Sequence, residues 1–245
     1  SDLRFIKLLP GLLPTDHIER KKLKPDWESL VFLSNREDEL LILPSGSTLN
    51  RSMGVFVELH DEELRSLKKI DLSALYQQLK LNFSELNIEG AVVVDSVLRI
   101  FQRGNGPSGR NAIIDLDLNG LKNDIQNLGF VTTERILNIT DYDLGTLQGV
   151  ALSFTDACFC VGDYLFFLAV AESSPSTYDD GEYLGAILGC IDKSGKIISH
   201  KELICPFKPE GLWVERIADQ YKIYVVTDAD DPNQVSSLYV GEFLA

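Results

Sequence analysis

Short apolar runs alternate with polar turns along most of this chain. Val, Ile, Leu, Tyr and Phe dominate the runs, whereas Gly, Ser, Asn and Asp are frequent between them. Such runs are typical of half-buried β-strands. One stretch differs, because Leu72–Leu81 has the apolar spacing of a short helix. First strands are predicted at Leu30–Leu33, Ala91–Val94, Val150–Phe154 and Leu212–Val214, and fourth strands at Leu67–Ile70, Thr133–Ile139 and Ile197–Leu203.

A short motif introduces each of four successive segments and reveals an internal repeat. Its second residue is Glu28, Glu89, Gln148 or Glu210, and these positions are about 60 residues apart. An apolar run follows shortly after each of them. The four motifs are Trp27-Glu28-Ser29-Leu30-Val31, Ile88-Glu89-Gly90-Ala91-Val92, Leu147-Gln148-Gly149-Val150-Ala151 and Pro209-Glu210-Gly211-Leu212-Trp213.

This repeat predicts an all-β protein, a β-propeller of four-stranded antiparallel blades that forms a single domain over residues 1–245. A β-sandwich would not repeat with this period. An additional apolar run, Leu3–Leu9, precedes the first motif. It is either the end of an incomplete first blade, which gives five blades, or a strand that closes a ring of four.

The topology of a propeller brings the motif residues together. The first strand of each blade lines the central channel, so Glu28, Glu89, Gln148 and Glu210 are expected around one channel mouth. The loops after the second strands should lie on the same face, where a rigid β scaffold usually carries its functional residues. These loops are Pro44–Ser47, Arg103–Asn111, Glu172–Tyr183 and Thr227–Asn233.

The loop Arg103–Asn111 is the most unusual of these segments, because Gly and Pro occupy four of its positions. Glycines let backbone N–H groups approach a ligand, and Arg103 and Arg110 offer forked donors for a carboxylate or phosphate. Asn105 and Asn111 add amide groups. The loop therefore predicts a site for a small anion, or an ordinary turn whose arginines pair with the glutamates.

The carboxylates at the mouth have three interpretations. The first is a site for Ca²⁺ or another hard cation, which prefers several oxygen ligands. The second is acid–base hydrolysis, for which crowding of like charges raises the pKa of one carboxyl group. Alternatively, each Glu binds backbone N–H groups of the neighbouring blade. Asp228 and Asp230 add oxygen ligands on the same face.

Charge and cysteine content narrow the range of partners. The net charge is −14, so the chain lacks the basic surface that nucleic acids or anionic membranes attract. A local arginine pair can still bind a small anion, because charges act mainly over short distances. The four cysteines show no metal-binding spacing and are expected to be buried free thiols, which favours the cytoplasm over the periplasm. The sequence gives no indication of oligomeric state.

Several motifs together resemble an uncharacterised bacterial propeller family, itself distantly similar to phytase-like esterase and SdiA-regulated propellers. The motifs are Lys24-Pro25-Asp26-x-Glu28, Arg103-Gly104-Asn105-Gly106 with Asn111, Lys208-Pro209-Glu210-Gly211 and Thr227-Asp228-x-Asp230. The resemblance implies a further blade before Lys24, hence five blades. A looser analogy with lactonase-type propellers implies that Glu28 or Glu210, Asn105 or Asn111, and Asp228 bind a divalent metal.

Two functions follow as hypotheses. In a metal-assisted hydrolase of a small anionic ester or lactone, a metal held by Glu28, Glu210 and Asp228 would activate water, with Glu89, Glu210 and Arg103 as catalytic groups. Lys24, Arg103 and Arg110 would then orient the anion. In a non-catalytic module, the same face would bind a small molecule, glycan or protein, and Gln148 and Asp230 would join the binding residues. A scaffold that uses only its rim is the third possibility.

Overall fold

The computed structural model describes residues 6–8, 10–61, 63–106, 108–160, 164–173, 181–229 and 233–243. These residues form four antiparallel sheets arranged as the blades of a β-propeller, which confirms the predicted fold class. The strands are β1 (Trp27–Phe32), β2 (Glu39–Pro44), β3 (Met53–His60) and β4 (Glu63–Asp71) in blade 1; β5 (Ile88–Val94), β6 (Val97–Gln102), β7 (Asn111–Asp117) and β8 (Ile136–Tyr142) in blade 2; β9 (Thr146–Leu147), β10 (Val150–Phe159), β11 (Leu165–Ser173), β12 (Glu182–Ile191) and β13 (Ile197–Leu203) in blade 3; and β14 (Lys208–Ile217), β15 (Gln220–Asp228) and β16 (Ser237–Phe243) in blade 4.

The predicted strands coincide with these elements, including the three predicted fourth strands in β4, β8 and β13. Blade 4 has three strands among the described residues. The predicted strand Leu3–Leu9 lies mostly outside the described residues, and residues 6–8 are not in a strand. The fifth blade that the resemblance implied is therefore not found in the described part of the chain, which holds four.

Three helices connect the strands. The predicted helix within Leu72–Leu81 is confirmed as α2 (Ser73–Leu79). Helix α1 (His17–Leu23) begins after Asp16, whose carboxylate accepts the backbone N–H of Glu19 at 2.9 Å. Helix α3 (Leu118–Asn127) lies between β7 and β8, and a 3-10 turn, Thr133–Arg135, leads from it into β8. The sequence interpretation missed α1 and α3.

Apolar side chains between neighbouring blades form the core. The inner strands pack in the order β1, β5, β10 and β14, with one buried cluster between each successive pair of blades. Between blades 2 and 3, the ring of Phe154 makes edge contacts with Phe101 and Phe167, each at 5.2 Å between centroids. Cys158 and Cys160 of blade 3 both belong to the buried cluster between blades 3 and 4. All four cysteines are free, as expected.

The ring is less complete between blade 4 and blade 1. In the described part of the chain, β14 and β1 do not pack against each other as the other neighbouring inner strands do. The face of blade 4 that points away from blade 3 exposes Trp213, Val226, Leu238 and Val240. These residues are cross-strand neighbours, so the exposed side chains form one apolar patch on the sheet. No helix among the described residues is long and apolar enough to cross a bilayer.

Candidate functional site

Every inner strand has an irregularity at the same place, where it enters the channel mouth. The strand pairing shifts register by one residue between Trp27 and Ser29, and similarly in the other three blades. Such bulges re-aim a side chain and are frequent beside functional sites. The residues at the four bulges are Glu28, Glu89, Thr155 and Glu210.

Blade 3 therefore differs from the sequence prediction, which placed Gln148 in this ring. Gln148 lies in the exposed turn between β9 and β10, where its amide donates to the carbonyl of Leu184 at 2.8 Å. The structural counterpart of the three glutamates is Thr155, seven residues further on. The motif around Gln148 matched by residue type, but the bulge of β10 lies at its sixth residue, whereas the bulges of the other inner strands lie at the second or third.

Arg103 links blades 2 and 3 at the centre of the mouth. Its guanidinium lies 3.2 Å from the carboxylate of Glu89, pairs with that of Glu172 on β11, and donates to the hydroxyl of Ser153 at 3.4 Å. Arg103, Glu89 and Glu172 are all buried. Glu89 also accepts the amide of Asn87 at 2.7 Å. Although burial opposes its charge, these carboxylates and that of Glu210 hold the pKa of Arg103 above its ordinary value.

Lys208, the first residue of β14, extends this network into blade 4. Its ammonium lies 2.9 Å from the carboxylate of Glu210 and 3.7 Å from that of Glu172. Burial disfavours the charged amine, but Glu210 and Glu172 together raise the pKa of Lys208. Glu172 is thus shared between Arg103 and Lys208, and a single cluster connects three blades.

Blade 1 contributes a second set of ion pairs around Asp26. The carboxylate of Asp26 lies 2.6 Å from the guanidinium of Arg51 and 2.9 Å from the ammonium of Lys24, and accepts the hydroxyl of Ser45 at 2.8 Å. Burial opposes ionisation of Asp26, but Lys24, Ser45 and Arg51 outweigh it and lower the pKa. Lys24 is half exposed at the end of α1. Both of these basic residues are thus held by an acidic partner.

The remaining carboxyl groups at the mouth are poorly compensated. Burial raises the pKa of Glu28 to about 8, and the charges of Glu89, Asp26 and Glu210 add to the effect. Burial likewise raises the pKa of Glu210 to about 7, despite Lys208 beside it. Burial also raises the pKa of Glu89, in spite of the positive charge of Arg103 beside it. Carboxyl groups that retain protons near neutral pH are common in functional sites.

One polar atom at this mouth is buried without a hydrogen-bond partner among the described residues: the hydroxyl oxygen of Thr155, a residue that is 1% exposed. The amide oxygen of Asn105, in the loop that follows Arg103, is a second buried acceptor without a partner in the described structure. Buried polar groups are nearly always paired, because an unmade hydrogen bond costs free energy. Ser153, two residues before Thr155 on β10, has its hydroxyl at Arg103. Thr155 itself takes the bulge position on β10 that Glu28, Glu89 and Glu210 take on the other inner strands.

Asp156, next to Thr155, ties blade 3 to blade 4. Its carboxylate accepts the backbone N–H groups of Ala157 and of Leu212 on β14, each at 2.7 Å. Burial raises the pKa of Asp156 to about 7. In the other three blades, the position directly after the bulge residue holds a small residue. A Cβ on Gly90, which takes this position in blade 2, would lie 3.1 Å from the backbone nitrogen of Ala157. This approach explains why a small residue follows the glutamate in the motif.

Asn111 and Arg110 have structural partners of their own. The amide oxygen of Asn111 accepts the backbone N–H of Gly104 at 2.8 Å and of Phe154 at 3.2 Å, and its amide nitrogen donates to Leu152. Arg110 pairs with Asp141 at 2.9 Å, and its guanidinium lies 4.5 Å from the ring centroid of Phe83. These contacts place Arg110 on the outside of the mouth, away from the buried cluster.

The residues predicted to hold a metal are only partly brought together. Glu28 and Glu210 share the mouth, whereas Asp228 is exposed at the end of β15, and Asp230 lies outside the described residues. In the part of the chain that the structure describes, no three His, Cys, Asp or Glu side chains are grouped to hold a metal ion. The Ca²⁺ site stays a prediction without a matching ligand set.

Sequence reasoning missed several members of the cluster. Glu172 and Lys208 stood at the edges of segments already considered, but the sequence gave no sign that Glu172 pairs with both Arg103 and Lys208. Arg51 and Asp156 had no motif around them. The Lys-Pro shared by Lys24 and Lys208 was a usable signal, because both lysines lie at the mouth beside an acidic residue of the same blade.

Comparisons with known proteins provide a family and distant structural similarities. A model of a family of unknown function, DUF6910, matches residues 20–232. No curated protein sequence matches the chain. The chain is similar in structure to a Kuenenia stuttgartiensis hydrazine synthase, at 12% identity and a TM-score of 0.36, over 95% of this chain and 66% of that one. It is also similar to the subtype N10 neuraminidase-like protein of A/little yellow-shouldered bat/Guatemala/060/2010, at 13% identity and a TM-score of 0.34, over 86% and 57% of the two chains. The chain thus spans less than two thirds of either structure.

Proposed function

The chain belongs to the DUF6910 family of unknown function, and we propose that its channel mouth binds a small polar molecule. One observation carries this proposal. Glu28, Glu89 and Glu210, from three different blades, share a desolvated mouth with Arg103 and Lys208. A structural role requires each carboxylate to be paired, whereas Glu28 has no ion-pair partner among the described residues.

The free-energy balance of the cluster supports a binding role over a purely structural one. Burying an ionisable group without a partner is costly, and a protein that needed only rigidity would do better with apolar side chains. Thr155 and Asn105 add two buried acceptor oxygens with no partner in the described structure. A ligand at the mouth would satisfy all of these groups together.

The proposal is tested by a thermal-shift screen of small polar metabolites. A compound that binds the native state raises the melting temperature. Hits are expected with the wild type and to be lost in Glu28→Gln. The matched control is Glu134→Gln, which removes the same charge from an exposed position at the 3-10 turn. Hits that survive Glu28→Gln unchanged, or a broad panel without hits, would contradict the proposal.

Hydrolysis of a small ester or lactone is the second candidate. The observation that favours it is the pair Glu28 and Glu210, because carboxyl groups that titrate near pH 7 suit general acid–base catalysis. This version is written without a metal, because the described residues of the mouth do not form a complete ligand set. The resemblance to phytase-like esterases rests on the sequence motifs alone and belongs to this second candidate.

Hydrolysis has its own test. A panel of esters, lactones and phosphomonoesters would be assayed with the wild type, Glu28→Gln, Glu210→Gln and the control Glu134→Gln. Turnover that falls at least tenfold in both mouth variants but not in the control supports catalysis. Ligand binding without any turnover would contradict catalysis and support only the binding role.

A further inference from the structure

The charges at the mouth indicate which kind of molecule it takes. Counting the clustered side chains, six are acidic and four are basic. All four basic groups, Lys24, Arg51, Arg103 and Lys208, already lie within 4 Å of a carboxylate. The groups left without a basic partner are therefore acids, and in the ligand-free protein burial raises the pKa of Glu28 so that its protonated form is favoured. A bound cation would favour the carboxylate form instead. The acidic members are Asp26, Glu28, Glu89, Asp156, Glu172 and Glu210.

The unmatched acceptors lie around the channel axis. Glu28 has no ion-pair partner in the described structure, and Glu210 lies beside Lys208 with one carboxylate oxygen at 2.9 Å. Thr155 takes the corresponding bulge position on β10, and its buried hydroxyl oxygen has no hydrogen-bond partner. Unlike the acidic groups, this hydroxyl cannot be explained by charge balance within the cluster. It is a second, independent sign that an absent group completes the site.

Resting on the proposed function, we propose that the molecule bound at this mouth carries a protonated amine, held by Glu28 with Thr155 as a second acceptor. An ammonium group supplies one positive charge and three N–H donors, and it accepts nothing. It would thus suit a carboxylate together with a hydroxyl oxygen that has no other donor. An anion would instead have to displace Glu89, Glu172 or Glu210 from Arg103 or Lys208.

Three probes that differ only in the charged group test this inference: butylammonium, butyrate and 1-butanol. Binding would be followed by NMR through the backbone amides of residues 153–156, with sodium chloride at equal concentration as the ionic-strength control. Butylammonium is expected to shift these amides saturably, with an affinity at least tenfold higher than that of either other probe. Glu28→Gln should weaken its binding at least tenfold, and Glu134→Gln should leave it unchanged.

Thr155→Val removes the hydroxyl but keeps the shape of the side chain, because threonine and valine have nearly the same size. We expect this variant to fold and to bind butylammonium several-fold more weakly. Preferential binding of butyrate or butanol at these amides would overturn the amine class and leave the proposed binding site intact. Failure of all three probes would also overturn the inference that the ligand carries an amine. The proposed function fails only if the metabolite panel yields no hit that depends on Glu28.

Discussion

The guanidinium of Arg103 lies 3.2 Å from the carboxylate of Glu89, and both side chains are buried at the mouth of the channel. The same guanidinium pairs with Glu172 of the next blade. Arg103 is therefore a cross-blade connector as well as part of the candidate site. Removing one partner of a buried ion pair leaves an uncompensated charge, which is the costly case.

Arg103→Met is predicted to lower the free energy of unfolding by about 3–5 kcal/mol, because Glu89 loses its ion-pair partner and Glu172 keeps only Lys208. Urea denaturation measures the change. The double variant Arg103→Met with Glu89→Gln should recover part of the loss, since one of the stranded charges is then removed. If the double variant is no more stable than the single one, packing of the guanidinium rather than its charge holds the blades together.

Much of the fold was accessible from the sequence. The alternation of apolar runs and turns identified the inner strands of all four blades, because buried strands require apolar residues. Helix α3 was missed although Leu118, Leu121 and Ile125 have helical spacing and are buried. The sequence interpretation assigned no element between Leu118 and Thr133.

The candidate site was less accessible, and Thr155 shows why. A bulge is a feature of backbone pairing between β10 and β11, and a sequence motif does not record the register of two strands. Gln148 matched the glutamates in type and spacing but lies in an exposed turn. Glu28, Glu89 and Glu210 were found because their bulges lie at the second or third residue of the strand, within the motif itself.

Asn111 is predicted to contribute more to stability than its exposed neighbour. Asn111→Ala removes three hydrogen bonds to buried backbone groups, two of them in blade 3, at a cost of about 2–4 kcal/mol. Arg110→Ala removes a solvent-accessible pair with Asp141 and should cost about 1 kcal/mol or less. Equal losses for the two variants in urea denaturation would contradict the assignment of Asn111 as the link between blades.

Thr155→Val is predicted to stabilise the ligand-free protein. The hydroxyl of Thr155 is buried without a partner, so an apolar group of the same shape removes an unmade hydrogen bond. The expected gain is about 1 kcal/mol, seen as a higher melting temperature. Ser153→Ala is the comparison, because the hydroxyl of Ser153 accepts a hydrogen bond from Arg103 and its loss should destabilise. A loss of stability in Thr155→Val would show that the hydroxyl has a partner in solution.

The raised pKa of Glu28 predicts that stability falls as the pH rises. Glu28 keeps its proton in the native state up to about pH 8, because burial and the charges of Glu89, Asp26 and Glu210 disfavour the carboxylate. The unfolded chain releases that proton near its ordinary pKa of 4.5. Between these values the native state binds more protons, so the free energy of unfolding decreases with pH. The contribution of protonated Glu28 to the free energy of unfolding is complete below pH 4.5 and lost above pH 8. It amounts to at most about 5 kcal/mol.

Glu28→Gln isolates this effect, because glutamine resembles the protonated acid and does not titrate. Urea denaturation at pH 5, 7 and 9 should show variant and wild type nearly equal at pH 5, with the variant increasingly more stable toward pH 9. A slope shared by both proteins remains, since Glu210 and Asp156 titrate near pH 7 in each. The difference between the two proteins is therefore the measured quantity. Glu134→Gln should show no such difference, and a Glu28→Gln curve parallel to that of the wild type would mean that Glu28 is ionised and solvated at neutral pH.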